Sequence, residues 1–223
     1  MRIDVWSDIA CPWCYLGKRR LESALDDFPH AEDVEVVWHS YELDPSAPVP
    51  PTETSTAALA RKYGAGPEQI AQMTQRVSDL AAAEGLDYQL DRTLHLNTRT
   101  AHRLLHLALE SGGPSLQGRL KEALLEAYFV RAEDVTDAEV LSRVATGAGL
   151  DAAEVAEVLG SDRFDREVTE DVEQARAYGA NGVPFFVVDG RYGISGAQPT
   201  DVFSGALERA WAEGAQDRRS ASR

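Results

Sequence analysis

Strand signals stand only at the two ends of this chain, with more than a hundred residues of helical pattern between them. Near the start, Ile3, Val5 and Ser7 alternate with Asp4 and Trp6, the period-two pattern of a short strand. A helical pattern follows. Cys14, Leu21, Ala24, Leu25 and Phe28 fall on one side, and Lys18, Arg19, Arg20, Glu22, Asp26 and Asp27 mostly on the other, until Pro29. Residues 34–41 predict a second strand. Near the far end, residues 184–188 predict a strand, Asp189-Gly190 a hairpin turn and residues 191–195 the return strand. Val202, Phe203, Ala206, Leu207, Ala210 and Trp211 then mark one face of a last helix. The order β-α-β, helical block, β-β-α packs most simply as one α/β domain with an all-helical domain inserted between its halves. We therefore expect residues 1–50 and 180–214 to form the α/β domain, 51–179 the insertion, and 215–223, which hold Arg218, Arg219 and Arg223, a disordered tail.

The boundary after the first half is marked by Pro45, Pro48, Pro50 and Pro51, four of the chain's ten prolines, which predict a stiff extended linker. Inside the insertion, Ala101, Leu104, Leu105 and Ala108 hold helical spacing, as do Leu116, Leu120, Leu124 and Ala127. Thr136-Asp137-Ala138-Glu139 and Asp151-Ala152-Ala153-Glu154 look like helix starts, the second helix stopping at Gly160. Phe164, Val168, Val172 and Ala175 mark one more helix, ended by Gly179. No internal repeat is present.

Two hundred and twenty-three residues are enough to bury a core without covalent staples. The 37 Asp+Glu against 22 Lys+Arg leave a net charge of −15, which disfavours contact with nucleic acid or an anionic membrane and reads as a solubilising surface. No apolar run approaches the roughly 20 residues that span a bilayer. The first eight residues carry one base and two acids and lack the apolar stretch of roughly 7–15 residues that a secretory signal needs, so the expected location is the cytoplasm.

In a reducing compartment, two cysteines three positions apart point to catalysis or metal binding rather than to structure. Cys11-Pro12-Trp13-Cys14 stands where the first strand hands over to a helix. A cysteine at a helix start meets unpaired backbone N–H groups and the positive end of the dipole, both of which stabilise a thiolate. Pro12 suits the first helical position because it has no N–H to lose there. Cys11 is thus placed to attack, and Cys14, within the first turn, to resolve a mixed disulfide. A zinc site would have to recruit histidines from far along the chain, and a structural disulfide across four residues constrains little loop entropy. Pro184, just before a strand, has no donor for the ladder. Either it is an ordinary trans proline at a strand's first position, or the Val183–Pro184 bond is cis and leaves the Val183 backbone free to pair with an incoming peptide.

These residues resemble the DsbA-like branch of the thioredoxin superfamily, most closely the FrnE-like proteins of polyketide biosynthesis, which are dithiol–disulfide isomerases. The likeness runs over nearly the whole chain. It rests on Ser7-Asp8, Cys11-Pro12-Trp13-Cys14-Tyr15-Leu16-Gly17, Asn97-Thr98, Ala101-His102-Arg103, Gly182-Val183-Pro184-Phe185-Phe186 and Ser195-Gly196-Ala197-Gln198-Pro199. It implies an α/β thioredoxin fold with an inserted all-helical domain, Cys11 as nucleophile, Cys14 as resolver, and a cis Val183–Pro184 loop facing them. Pro12, Trp13, Val183, Pro184, Asn97 and His102 are then expected to meet substrate. Strongly oxidising DsbA proteins have histidine where this chain has Trp13, and Asp8 opposes a thiolate. The expectation is a Cys11 pKa lowered by the helix end, but less than in strong oxidants, with a potential nearer the reductase and isomerase range.

His102 and His106 lie one helical turn apart without the glutamate of HExxH, so a partly solvated helix face explains them better than a metal site. The expected activity is thiol–disulfide exchange or disulfide isomerisation on a protein or small-molecule substrate. It needs no bound cofactor or metal; glutathione, mycothiol or a thioredoxin supplies or takes the electrons. Two alternatives remain. One is a glutathione-dependent isomerase or transferase of the kappa or hydroxychromene-carboxylate isomerase type, in which serine typically replaces Cys11. The other is a holdase-type chaperone using the cleft between domains.

Overall fold

The computed structural model describes residues 1–221, with side chains through residue 214. Its elements are β1 (Arg2–Ser7), α1 (Pro12–Asp26), β2 (Glu35–Ser40), α2 (Ser55–Tyr63), α3 (Pro67–Ala83), α4 (Arg99–Phe129), α5 (Ala138–Ala148), α6 (Ala152–Leu159), α7 (Asp165–Ala177), β3 (Phe185–Val188), β4 (Tyr192–Ser195) and α8 (Thr200–Ala221). The helical backbone of α8 enters the stretch expected to be a disordered tail, 215–223, whose side chains and last two residues lie outside the described residues.

Strands from the two ends of the chain meet in one sheet, in the order β2-β1-β3-β4. β1 and β2 run parallel, with Ile3 opposite Val36, and α1 makes the crossover that a parallel pair needs. β3 runs antiparallel to β1, with Val5 opposite Phe186, and pairs with β4 through the expected hairpin. Asp189 and Gly190 both have positive φ, 48° and 68°, as a two-residue turn between twisted strands requires. Alternation along β1 divides the core. Ile3 and Val5 face Leu21 and Ala24 of α1 and Phe203 and Leu207 of α8, while Trp6 and Val187 face Ala175 of α7. α7 therefore lies on the sheet as well as against α4, although its sequence position assigns it to the insertion.

The insertion has its own core of Leu104, Leu107, Leu120, Leu124, Leu141 and Val155, into which Ile9 and Tyr15 reach from the α/β half. The two helical runs of 101–108 and 116–127 belong to α4, which bends at Gly112 and Gly113 ahead of Pro114. A Cβ on Gly112 would come within 2.6 Å of Leu116, so the bend admits no side chain there. The cap of α5 is Asp137, one residue beyond the expected Thr136, because Asp134 holds both the Thr136 hydroxyl and its N–H. α6 starts at the Asp151 cap and ends at Gly160, as expected.

Polar contacts join the halves, and two sets of them centre on β2. β2 is an edge strand, and its exposed backbone is met by a side chain. Gln117 of α4, fully buried, accepts from Trp38 N–H at 2.9 Å and donates to Trp38 C=O at 2.7 Å, taking the place of a neighbouring strand. His39 stands between Asp4 and Asp171, each at 2.7 Å, and stacks on Trp6. Burial opposes a charge on His39, but its hydrogen bonds to Asp171 and Asp4 outweigh that and raise its pKa to about 9.

Gln117→Leu strands the Trp38 amide and carbonyl. We expect a loss of about 2 kcal/mol and a thermal midpoint lower by roughly 4–8 °C, read by calorimetry. The raised pKa of His39 sets a second expectation. Its stabilisation is complete below the unfolded value of about 6.5 and is lost as pH rises through about 9. Unfolding free energy from urea titrations should fall over that window in the wild type, by roughly 3 kcal/mol at most, and that component should be absent in His39→Gln.

Candidate active site

β1 delivers the chain to a corner at which Cys11 is the N-cap of α1, with extended backbone (φ −96°, ψ 111°) and Pro12 next in the first turn. The Cys14 N–H donates to Cys11 C=O at 3.0 Å, so both cysteines belong to one turn. Both are free thiols. Cys14 is fully buried, and Cys11 is 3% exposed. The Val183–Pro184 peptide is cis, and the Cys11 thiol donates to Val183 C=O at 3.5 Å. Gly17 lets this loop approach α1, since a Cβ there would come within 3.0 Å of the Pro184 ring. Gly196 N–H holds Pro184 C=O at 2.8 Å, and the Tyr88 hydroxyl holds Pro12 C=O at 2.8 Å.

An ionised acid lies behind the thiols. Asp8, 1% exposed, accepts from Leu43 N–H at 2.7 Å, from the Thr98 hydroxyl at 2.8 Å and from Ala10 N–H at 3.3 Å. His102 Nε2 stands 3.5 Å from the same carboxylate, longer than a good hydrogen bond, and burial lowers the His102 pKa against the pull of Asp8. Burial works against the Asp8 charge, but His102 and these donors hold its carboxyl below the ordinary range. Lys121 of α4, fully buried, donates to Ser7 C=O at 3.3 Å and lies over the Trp38 ring. Burial brings its pKa down to about 8, against the pull of negative charge on Cys14, Asp8 and Cys11.

Cys11 departs from expectation. Its contact with the Cys14 side chain, its burial, and the charges of Cys14 and Asp8 push its thiol well above the ordinary value, and the Cys14 backbone N–H only partly opposes them. The helix start is present as the sequence implied. The Cys14 contact and burial, with the Asp8 carboxylate adding to them, outweigh it, so the expected lowering is replaced by a rise.

A cavity of about 700 Å³ opens beside Cys11, bounded by Pro12, Trp13 and Val183 on one side and by α2 and α3 on the other. Four of the expected site residues, Cys11, Pro12, Trp13 and Val183, border it; Pro184 adjoins Val183 in the cis loop. Asn97 and His102 do not border it. The Asn97 amide donates to Pro45 C=O and its oxygen accepts from Arg99 N–H, so it ties the linker to the start of α4. His102 is 0% exposed and faces Asp8, so the expectation of a partly solvated helix face fails for it, while His106, partly exposed, faces Ser40 and Asp171. Sequence reasoning missed Gln117 and Lys121. One turn apart beside an apolar stripe, they carry the same signal as a solvated helix face.

The family model of the DSBA-like thioredoxin domain matches residues 2–208. The crystal structure of a probable DsbA oxidoreductase from Streptomyces coelicolor superposes with a TM-score of 0.90 at 46% identity, over 96% of this chain and 91% of that one. The uncharacterized protein YwbO of Bacillus subtilis (strain 168) is 26% identical over 210 residues, 93% of this chain and 96% of its own. A 2-hydroxychromene-2-carboxylate isomerase shares the fold alone, with a TM-score of 0.70 at 15% identity over 97% of this chain and 98% of that one.

Asp8→Asn removes the fixed charge behind the pair; its amide oxygen can keep the bond to Leu43 N–H, while its NH2 group meets the Thr98 hydroxyl, which can turn to accept. The Cys11 pKa should fall, and alkylation by iodoacetamide at pH 7 should quicken about threefold or more. In the wild type, the Cys11 thiolate, followed by absorbance, should develop only above the ordinary cysteine range. A midpoint near roughly 3.5, as in DsbA, would contradict the assignment.

Proposed function

The chain belongs to the DSBA-like thioredoxin domain family, whose general class is thiol–disulfide oxidoreductase, and from that premise we propose that Cys11 and Cys14 form its redox pair. The observation that carries this reading is the placement of Cys11 on the wall of the cavity, beside Val183 C=O at 3.5 Å, with Cys14 buried behind it in the same turn. Cys11 gives up its proton and its thiolate attacks a substrate disulfide. One substrate sulfur leaves as a thiolate and takes a proton from solvent, while the other stays bound to Cys11. Cys14, deprotonated, then attacks the Cys11 sulfur and expels the second thiolate. The substrate gains two electrons and the protein is left with a Cys11–Cys14 disulfide. A thiol such as glutathione, mycothiol or a thioredoxin restores the pair. A negative charge on either sulfur is countered by the Lys121 ammonium and opposed by Asp8.

A Cys11 thiol raised above its ordinary value favours reduction or isomerisation over strong oxidation, because a low-pKa thiolate is what stabilises the reduced form of strong oxidants. The presence of Cys14 favours exchange over thiol-addition chemistry, in which a resolving sulfur has no role. The same reading places the protein in a reducing cytoplasm, acting on thiol or disulfide substrates. No helix among the described residues is long and apolar enough to cross a membrane.

Cys14→Ser should accumulate a mixed disulfide on Cys11 that dithiothreitol releases and mass spectrometry identifies, while Cys11→Ser accumulates none. Disulfide reduction should drop by about a hundredfold or more in both. If Cys14→Ser instead turns over an isomerisation substrate with glutathione at the wild-type rate, the transferase-like reading replaces this one.

A further inference from the structure

We propose that the cavity beside Cys11 takes a low-molecular-weight disulfide or thiol with an aromatic or branched aliphatic body and an anionic group, rather than a segment of protein chain. This rests on the redox reading above and names its substrate class. At about 700 Å³ the cavity falls within the roughly 300–1,000 Å³ usual for small-molecule sites. Cys11 is only 3% exposed, so the broad surface of a folded protein does not reach its sulfur, whereas a molecule seated in the cavity lies against it. The Val183 carbonyl, one of the backbone groups an incoming strand would use, accepts from the Cys11 thiol at 3.5 Å, a contact that such a strand would have to share.

The walls set the chemistry. Seven large hydrophobic side chains are exposed among the described residues, and four of them, Trp13, Leu43, Tyr63 and Met73, lie on this one cavity. Such clustering marks an apolar binding surface, whereas scattered exposed residues would need no explanation. Deeper in, Tyr128 donates to Leu94 C=O and bonds the Ser55 hydroxyl, Thr93 donates to Leu90 C=O and Thr98 to Asp8, so the Tyr128, Thr93 and Thr98 protons are used within the protein. Charge lines the cavity at Asp44, which pairs with His95 at 3.0 Å, and at the end of α2. Arg61 is paired with Glu53, while Lys62 makes no hydrogen bond or ion pair among the described residues, in a chain of net charge −15. Lys62 is the cation left to receive an anionic substituent.

The test measures single-turnover reduction of four disulfides by the reduced protein. They are 5,5′-dithiobis(2-nitrobenzoate), aromatic and anionic; 4,4′-dithiodipyridine, aromatic and neutral; hydroxyethyl disulfide, small and polar; and insulin. Each rate is divided by that of dithiothreitol with the same disulfide, which removes intrinsic reactivity. In each case Cys11 attacks, one thiolate leaves, and Cys14 displaces the second. We expect the aromatic disulfides to gain about tenfold over hydroxyethyl disulfide and insulin. Met73→Glu, at a half-exposed position that tolerates charge, should remove most of that gain. Lys62→Glu should lower the ratio of the nitrobenzoate rate to the dithiodipyridine rate by about fivefold. Equal normalised rates for the four disulfides, or a Met73→Glu defect as large for insulin as for the aromatic probes, would overturn the proposal and in the second case favour a protein substrate. A wild-type Cys11 that forms no mixed disulfide with any of the four would overturn the redox reading itself, a separate and recognisable result.

Discussion

Asp8 is a carboxylate without access to water, held by donors that come from three separate stretches of chain. Leu43 N–H belongs to the segment after β2, Thr98 to the start of α4, and Ala10 N–H to the turn leading into Cys11. A buried carboxylate costs several kcal/mol unless such donors converge on it. The α/β half and the insertion must therefore dock in one relation for the charge to be tolerated. Once they dock, that charge lies behind the thiols and raises the cost of ionising Cys11. Domain arrangement and sulfur chemistry are coupled through this one group.

α4 carries the rest of the coupling. Gln117 completes the edge of the sheet, Lys121 reaches the end of β1, and Glu122 accepts from the Tyr15 hydroxyl and from Lys18, both on the cysteine-bearing helix. These three residues fall within little more than one helical turn. An insertion is thus more than an added lid: one turn of it supplies the sheet with a missing partner, the redox corner with a buried cation, and α1 with a fixed anion. The bend at Gly112 and Gly113 separates this turn from the preceding half of α4, where His102 meets Asp8.

Much of this fold was legible because the relevant signals are local. Alternation in residues 2–7, the Asp189-Gly190 turn and the Asp151 cap each depend on neighbours in sequence, and each appears where expected. The cysteine corner was legible for the same reason. What failed was what depends on long-range partners. Thr136 lost its cap role to Asp137 because Asp134 took its hydroxyl. Gln117 and Lys121 carry no signal in the sequence because nothing local distinguishes a polar residue facing a sheet edge from one facing water. The ionisation of Cys11 was misjudged because the helix start is visible in sequence, whereas the depth of burial and the Asp8 carboxylate behind it depend on the packing of distant segments.

The rise in the Cys11 pKa also bears on when the sulfur reacts. In the closed arrangement the thiol donates to Val183 C=O, is shielded from water and faces a fixed negative charge, all of which favour the protonated form. A disulfide entering the cavity changes two of these conditions. Its sulfur occupies the space beside Val183, and as the S–S bond forms the charge on Cys11 passes to the leaving thiolate, farther from Asp8. The electrostatic penalty that suppresses the free thiolate is thereby relieved along the proposed reaction. A pair arranged in this way is quiet toward small alkylating agents at neutral pH and still competent toward a disulfide that fills the site, so low intrinsic acidity of Cys11 is compatible with, and selective for, exchange within the cavity.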